Sequence, residues 1–223
     1  MKGREFSMAE AQLLEEILIN RRDVRGNRFL SDPISEEELD KILFAGLNAP
    51  SVGFSQPWEF VVVTKPEIKQ QIRACFDAEN QKASEVFANE KSNIYQRLKL
   101  EGIEESPVNI AVLYKPSIKP ILGQTSMDEV GRYSVVCAIQ NMWLMARALN
   151  IGLGWVSILE PETVKACLDA PADRELVAYL CLGKVSEFLP SPELEQLRWE
   201  KRKQQREVVF FERHPLGLKI SKA

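Results

Sequence analysis

Histidine is almost missing from this chain of 223 residues: the one present is His214, in the polar C-terminal stretch. A Ser-His-Asp triad, an HExxH zinc site or a Cys-His nucleophile pair would have to be built on that residue, and all three are set aside. Neither a G-x-x-x-x-G-K-[ST] loop nor a G-x-G-x-x-G fingerprint occurs. Gly152-Leu153-Gly154 lacks the third glycine and reads as a turn ahead of a strand-like run. Cysteine is scarce and unpaired. Cys75, Cys137, Cys167 and Cys181 form no CxxC and sit among apolar neighbours, which reads as buried thiols, not metal ligands or disulfides. No apolar run approaches the roughly 18 residues of a membrane span. The first ten residues are too polar for a signal peptide, so a cytoplasmic protein without membrane contacts is expected. Basic residues are not in excess either: 29 Lys and Arg face 32 Asp and Glu, for a net charge of −3. That balance excludes the dense basic face that binding nucleic acid demands.

What is there reads as a single domain over residues 1–223, an α+β sandwich with a central mixed sheet flanked by helices. Apolar residues at helical spacing mark a helix over about 8–20. Ser35 with Glu38 matches a capping box for a second helix, ending near Asn48 before Pro50. Trp58–Thr64 reads as a buried strand, and Lys65-Pro66 starts a helix to about Phe76. From Asp77 to Glu105 the chain turns polar and helix-prone, with sparse apolar residues at Val86, Phe87, Ile94, Tyr95 and Leu98; this is a cover more than a core. Further strands are expected at Asn109–Tyr114, Trp155–Leu159 and Leu176–Leu182, with a helix starting near Pro161. The longest helix, Asp128–Leu149, is apolar around most of its circumference, which predicts burial against a second copy in a homodimer. After Gly183 a polar, proline-bearing extension runs from about residue 190 to 223.

Two blocks carry chemistry. Arg21-Arg22-Asp23-Val24-Arg25 puts three guanidiniums within five residues, suited to a doubly charged phosphate because each planar fork can donate paired hydrogen bonds. Ala49–Trp58 offers hydroxyl, amide and free backbone groups in a loop that can read the polar edge of a heterocycle. Taken singly, each has a plainer reading. The arginines can oppose the negative end of the first helix, and the loop can be an ordinary helix-to-strand connection. Taken together, they favour a flavin site.

The same blocks resemble the flavin-binding pattern of the nitroreductase superfamily, Arg-Arg-x-x-Arg followed by Ala-Pro-Ser and Gln-Pro-Trp. With Leu98–Ile103, Tyr133-Ser134 through Gln140-Asn141, and Gly154–Leu159, they resemble its 5,6-dimethylbenzimidazole synthase family over about residues 10–211. That resemblance implies a nitroreductase-like fold with a helical lid at about 77–105. It also implies oxygen-dependent fragmentation of reduced FMN, as substrate, to 5,6-dimethylbenzimidazole, the lower ligand of cobalamin, and erythrose 4-phosphate, without a metal. A separate flavin reductase would supply the reduced FMN. Arg21, Arg22, Arg25 and Arg202 would hold the phosphate and ribityl end, with Asp23 and Val24 among the contacts. Ser51, Ser55 and Gln56 would line the isoalloxazine, with Leu98 near the rings. Asp23 and Ser157 match the positions that the family uses for chemistry. The ribityl chain must lose carbon and hydrogen, which calls for an acid or base, and the positive field around Asp23 would keep it ionised. Ser157, without a histidine, suits a hydrogen-bonding role. The sequence departs from the family at Lys203–Glu207 and His214–Gly217, which leaves Arg198 and Lys201 as competitors of Arg202. The alternatives are an FMN-dependent NAD(P)H nitroreductase or flavin reductase, whose pattern has Ser or Thr in place of Asp23, and a protein that only binds flavin.

Overall fold

Alternation along two central strands sets the architecture. In a computed structural model that describes residues 2–86 and 89–214, β2 (Val108–Tyr114) is buried along its whole length and lies beside β4 (Glu175–Gly183). Ile110, Val112, Leu180 and Leu182 point to one face, into a core with Ile42, Val135, Ile139 and Met142. Ala111, Tyr179 and Cys181 point to the other, against Ile72, Phe76, Ile103 and Val164. Because side chains alternate between faces, a strand with apolar residues at successive positions can separate two hydrophobic layers. The helices follow: α2 (Glu36–Leu47) and α5 (Val130–Ala148) cover one face, and α3 (Pro66–Ser84) and α6 (Pro161–Cys167) the other. The sheet order is β1-β2-β4-β3, with β1 (Trp58–Val63) and β3 (Gly152–Val156) at the edges.

All three strand ladders are antiparallel. The mixed character expected of the sheet comes down to one parallel bridge, Asp23 with Leu153, on the open side of β3. The capping boxes form at α1 (Met8–Asn20) and α2, with Ser7 and Ser35 accepting from Glu10 and Glu38.

Several expectations need correction. Trp58–Val63 is an edge strand, with Val62 40% exposed, since a continuous apolar run does not separate an edge position from a central one. The helix expected to stop near Phe76 runs on to Ser84. Its apolar stripe ends there, but the polar continuation is a solvated helix with Arg73–Asp77 and Glu79–Lys82 pairs along it. Within the expected cover, α4 spans Asn89–Tyr95, and Phe87 lies outside the described residues. Gly152–Gly154 is strand, not turn, and β3 ends before Ser157. Cys75 and Cys181 are buried, whereas Cys137 is exposed on the outer face of α5 and Cys167 is half-buried. That outer face also bares Tyr133 and Val136, and no residue of α1 is buried.

The glycines of β3 have a specific use. A Cβ on Gly154 would lie 2.1 Å from the carbonyl oxygen of Val24, a main-chain atom that cannot yield by rotamer change. Gly154→Ala is therefore expected to destabilise the fold by about 1–3 kcal/mol. A urea melt matching the wild type would show that the bridge strand is not held as tightly as this contact requires.

Candidate active site

The site starts where α1 stops. Arg21 caps that helix in an extended conformation, and the chain then runs alongside β3. The Val24 N–H donates to the Leu153 carbonyl at 3.1 Å, and the Trp155 N–H donates to Asp23 Oδ1 at 3.2 Å. The Arg25 guanidinium pairs with Asp23 Oδ2, and its Nη1 donates to the carbonyls of Leu100 at 3.0 Å and Trp155 at 3.1 Å. Helix α5 grips the same segment. Trp143 Nε1 donates to the Arg22 carbonyl at 3.1 Å, Arg147 Nε to that of Asn20 at 2.9 Å, and the Arg21 guanidinium stacks 4.6 Å from the Trp143 ring centroid.

These residues wall a cavity of about 160 Å³ lined by Arg21, Arg22, Asp23 and Arg25 on one side and by Leu98–Leu100, Leu189 and Pro192–Leu194 on the others. Leu98, expected beside the flavin rings, lines this arginine cavity. The arginines divide their work. Arg22 is spent on main-chain carbonyls: Ile19 at 2.7 Å, Arg21 at 2.7 Å, Leu189 at 2.8 Å and Pro190 at 2.6 Å. It ties α1 to the cavity's C-terminal wall. Arg28 does similar work through its 2.9 Å pair with Glu193. Arg21 makes no hydrogen bond or ion pair among the described residues beyond its stacking on Trp143. Arg202 borders an adjoining cleft of about 550 Å³ that also touches Arg22, Pro190 and Glu195. Arg198 and Lys201 line neither space.

The electrostatics describe a cation cluster short of anions. Burial lowers the pKa of Arg21; Asp23 opposes this, and Arg202 adds to it. Arg22 is lowered by burial and then by the charges of Arg21, Arg202 and Arg147. Asp23 is pulled in both directions. Burial raises its pKa, and that effect outweighs the lowering by Arg25, the Trp155 N–H and Arg21, although 35% of its side chain still opens into the cleft. Arg25 and Arg21 favour the carboxylate, but the loss of hydration is larger, and the charge of Glu193 adds to it.

The other block lies apart. Ser51 Oγ accepts the N–H of Gln56 at 3.0 Å, and Ser134 Oγ, near the start of α5, accepts that of Val52 at 3.1 Å. Ser55 and Gln56 line a separate cleft with Lys115, Ile121 and Leu122. Ser55 Oγ is buried there with no partner among the described residues. Ser134 and Trp143 are nine positions apart on α5, about 14 Å at 1.5 Å per residue. The loop also feeds β1, at the sheet edge opposite β3. One chain therefore does not bring Ser51, Ser55 and Gln56 onto the arginine cavity. Ser157 is exposed just past β3 and does not line the cavity.

The donor set fits the anionic end of a nucleotide: an unbonded guanidinium, mutually repelling cations, and an apolar wall. The volume takes only part of a ligand the size of a flavin nucleotide, since complete ligand pockets run to about 300–1,000 Å³. Sequence reading missed Trp143, the Leu100 carbonyl and Glu193. Only the tryptophan carried a signal, as an indole within the largely apolar α5.

The Nitroreductase family model matches residues 18–184. The chain belongs to the nitroreductase family. A 5,6-dimethylbenzimidazole synthase of Rhodospirillum rubrum is 46% identical over 185 residues, covering 82% of this chain and 87% of that protein. One from Rhodobacter capsulatus is 38% identical over 198 residues, covering 87% and 94%. Among solved structures, a BluB-like flavoprotein from Clostridium difficile 630 superposes with a TM-score of 0.67 at 22% identity, covering 94% of this chain and 99% of the other. An iodotyrosine deiodinase bound to FMN and 3-iodo-L-tyrosine gives 0.68 at 21%, covering 80% and 92%. The expected nitroreductase fold and family are thereby established. Among the described residues no helix is long and apolar enough to cross a membrane, and no group of His, Cys, Asp and Glu is arranged to hold a metal ion.

The raised pKa of Asp23 has a signed consequence. The unfolded chain loses this proton at a lower pH than the folded one, so Asp23 lowers stability progressively as pH rises from the ordinary aspartate range through its higher folded-state pKa. Relative to Asp23→Asn, the wild type is expected to lose stability in urea melts as pH rises above the ordinary aspartate range; parallel curves would place the carboxyl in that ordinary range.

Proposed function

We propose that the protein acts as a 5,6-dimethylbenzimidazole synthase, fragmenting reduced FMN with dioxygen into 5,6-dimethylbenzimidazole and erythrose 4-phosphate. The observation that carries this reading is the Arg21, Arg22 and Arg202 cluster, each of the first two pulled down by burial and by neighbouring cations, with Asp23 beside it under Leu98. Such a cluster is relieved by a phosphate. The relatives at 46% and 38% identity, named 5,6-dimethylbenzimidazole synthase, favour the same product.

In this proposal Arg21, Arg25 and Arg202 face the phosphate and ribityl end, while Arg22 frames the wall and Val24 seats the segment. Reduced FMN supplies the electrons that dioxygen takes up, and its own skeleton becomes the product. Asp23 takes up a proton from the ribityl chain at its carboxylate and later returns it, while Arg25 on Oδ2 and the Trp155 N–H on Oδ1 fix the group. Ser157 donates a hydrogen bond toward the ring end, and Leu98 and Leu100 limit the entry of water.

The separation of the two blocks supports the homodimer. A second copy can bring its Ser51–Gln56 loop, with the unpartnered Ser55 Oγ, onto the arginine cavity, and the bare faces of α1 and α5 supply apolar surface for contact. Light scattering is expected to give twice 25.4 kDa. A stable monomer that nonetheless binds FMN would show that one chain completes the site.

The deciding experiment is chromatography of the products after the purified protein meets reduced FMN in air. Dimethylbenzimidazole is expected; NAD(P)H oxidation without it would make the protein a reductase, and bound but unchanged flavin a carrier. Asp23→Asn should keep FMN binding yet lose product formation on the order of a hundredfold. Product at the wild-type rate from that variant would remove Asp23 from proton transfer.

A further inference from the structure

The turn that carries Leu98 and Leu100 is tied down by a carboxylate that the proposed chemistry does not use. Glu101 is 1% exposed. Its side chain accepts from Arg73 Nη1 at 2.8 Å and from the Ile103 N–H at 2.7 Å, and Lys99 Nζ lies 2.5 Å away. Its own carbonyl oxygen accepts the N–H of Gly26 at 2.8 Å. One residue therefore joins α3, the turn and the segment that carries Arg25. The carbonyl before it, that of Leu100, accepts from Arg25 Nη1 at 3.0 Å, and the other half of that guanidinium meets Asp23. An unbroken run of polar contacts leads from Arg73 through Glu101 and the Leu100 main chain to Arg25 and the proposed acid–base group.

The charge of Glu101 is not needed to satisfy its partners. Arg73 also pairs with Asp77 at 2.9 Å, and Lys99 with Glu105 at 2.6 Å. Neutralising Glu101 thus strands neither cation, so its contribution to stability as a buried ion pair is small. What no neighbour duplicates is the placement of the turn against Arg25 and Gly26.

We infer that Glu101 is a positioning residue for the reduced-FMN site. It fixes the Leu100 carbonyl and so the orientation of Arg25 toward Asp23, and it keeps Leu98 and Leu100 over the cavity. This inference rests on the function proposed above. In Glu101→Gln the amide oxygen can still accept from Ile103, but the amide N–H groups face a cation and push the turn outward. Glu101→Asp retains the charge.

The test compares the full-length wild type with Glu101→Gln, Glu101→Asp and Arg73→Gln. The readouts are the FMN dissociation rate by stopped-flow fluorescence, the dimethylbenzimidazole formed per reduced FMN supplied, and the urea midpoint. Glu101→Gln is expected to release FMN on the order of tenfold faster and to lower the product yield, because small misplacements of a catalytic group are costly. Glu101→Asp should recover most of both, and Arg73→Gln should shift both in the direction of Glu101→Gln. A lower urea midpoint with wild-type release and yield would overturn the inference, leaving Glu101 as packing alone. Should Glu101→Gln fail to fold, wild-type release and yield in Arg73→Gln would overturn it equally. A wild type that binds FMN but forms no dimethylbenzimidazole would refute the proposed function, while the release rates would still decide whether Glu101 holds the turn.

Discussion

Everything in the arginine cavity depends on how closely the Asp23–Val24 main chain lies against β3. The Val24 carbonyl passes where a Cβ on Gly154 would stand, and the Val24 side chain packs against the position that Gly152 leaves empty. That approach delivers the Trp155 N–H to Asp23 and the Trp155 carbonyl to Arg25, so a single strand edge orients both members of the ion pair. A segment between a helix end and a short helical turn would otherwise be a mobile connection. Here it is ordered as an incomplete fifth strand.

The cost of that order is electrostatic. Guanidiniums brought together with few carboxylates would repel, and the fold answers by giving each a different partner: main-chain carbonyls for Arg22, an indole for Arg21, Asp23 for Arg25 and Glu193 for Arg28. These partners are unequal. Carbonyls and the indole leave the positive charge uncompensated, so the cavity keeps its attraction for an anion while its walls stay fixed. At Asp23 the loss of hydration on burial outweighs even the paired Arg25 and the nearby Arg21.

Much of this was legible in the sequence where local chemistry decides the outcome. The capping box at Ser35, the β2 and β4 strands, and the arginine block follow from residue type and spacing. What was not legible depends on which strand ends at a sheet edge and what lies across from it. Trp58–Val63 reads as buried because six apolar or aromatic-flanked positions look alike in the centre and at the margin. Gly152 and Gly154 read as a turn because a glycine needed for close approach of a distant segment leaves the same trace as one needed for a positive φ. Arg22 reads as a ligand donor, and only the fold shows its N–H groups committed to Ile19, Arg21, Leu189 and Pro190. Ser157 and the Ser51–Gln56 loop share a sequence pattern with the arginines without sharing their cavity.

That last division bears on how the site is assembled. The loop feeds β1 and the arginines lie along β3, with β2 and β4 between them, so three strand spacings of about 4.8 Å each separate the half-sites in one chain. The buried strands cannot move aside without losing both hydrophobic layers, so no hinge within the chain brings the halves together. A ligand that uses both must either bridge the edge of the molecule or lie between two copies, and the bare apolar faces of α1 and α5 favour the second. In the proposed dimer, flavin binding and subunit association would then be linked, each strengthening the other by mass action. The unpartnered Ser55 Oγ, costly in an isolated chain, would belong to the surface that a neighbouring cavity completes.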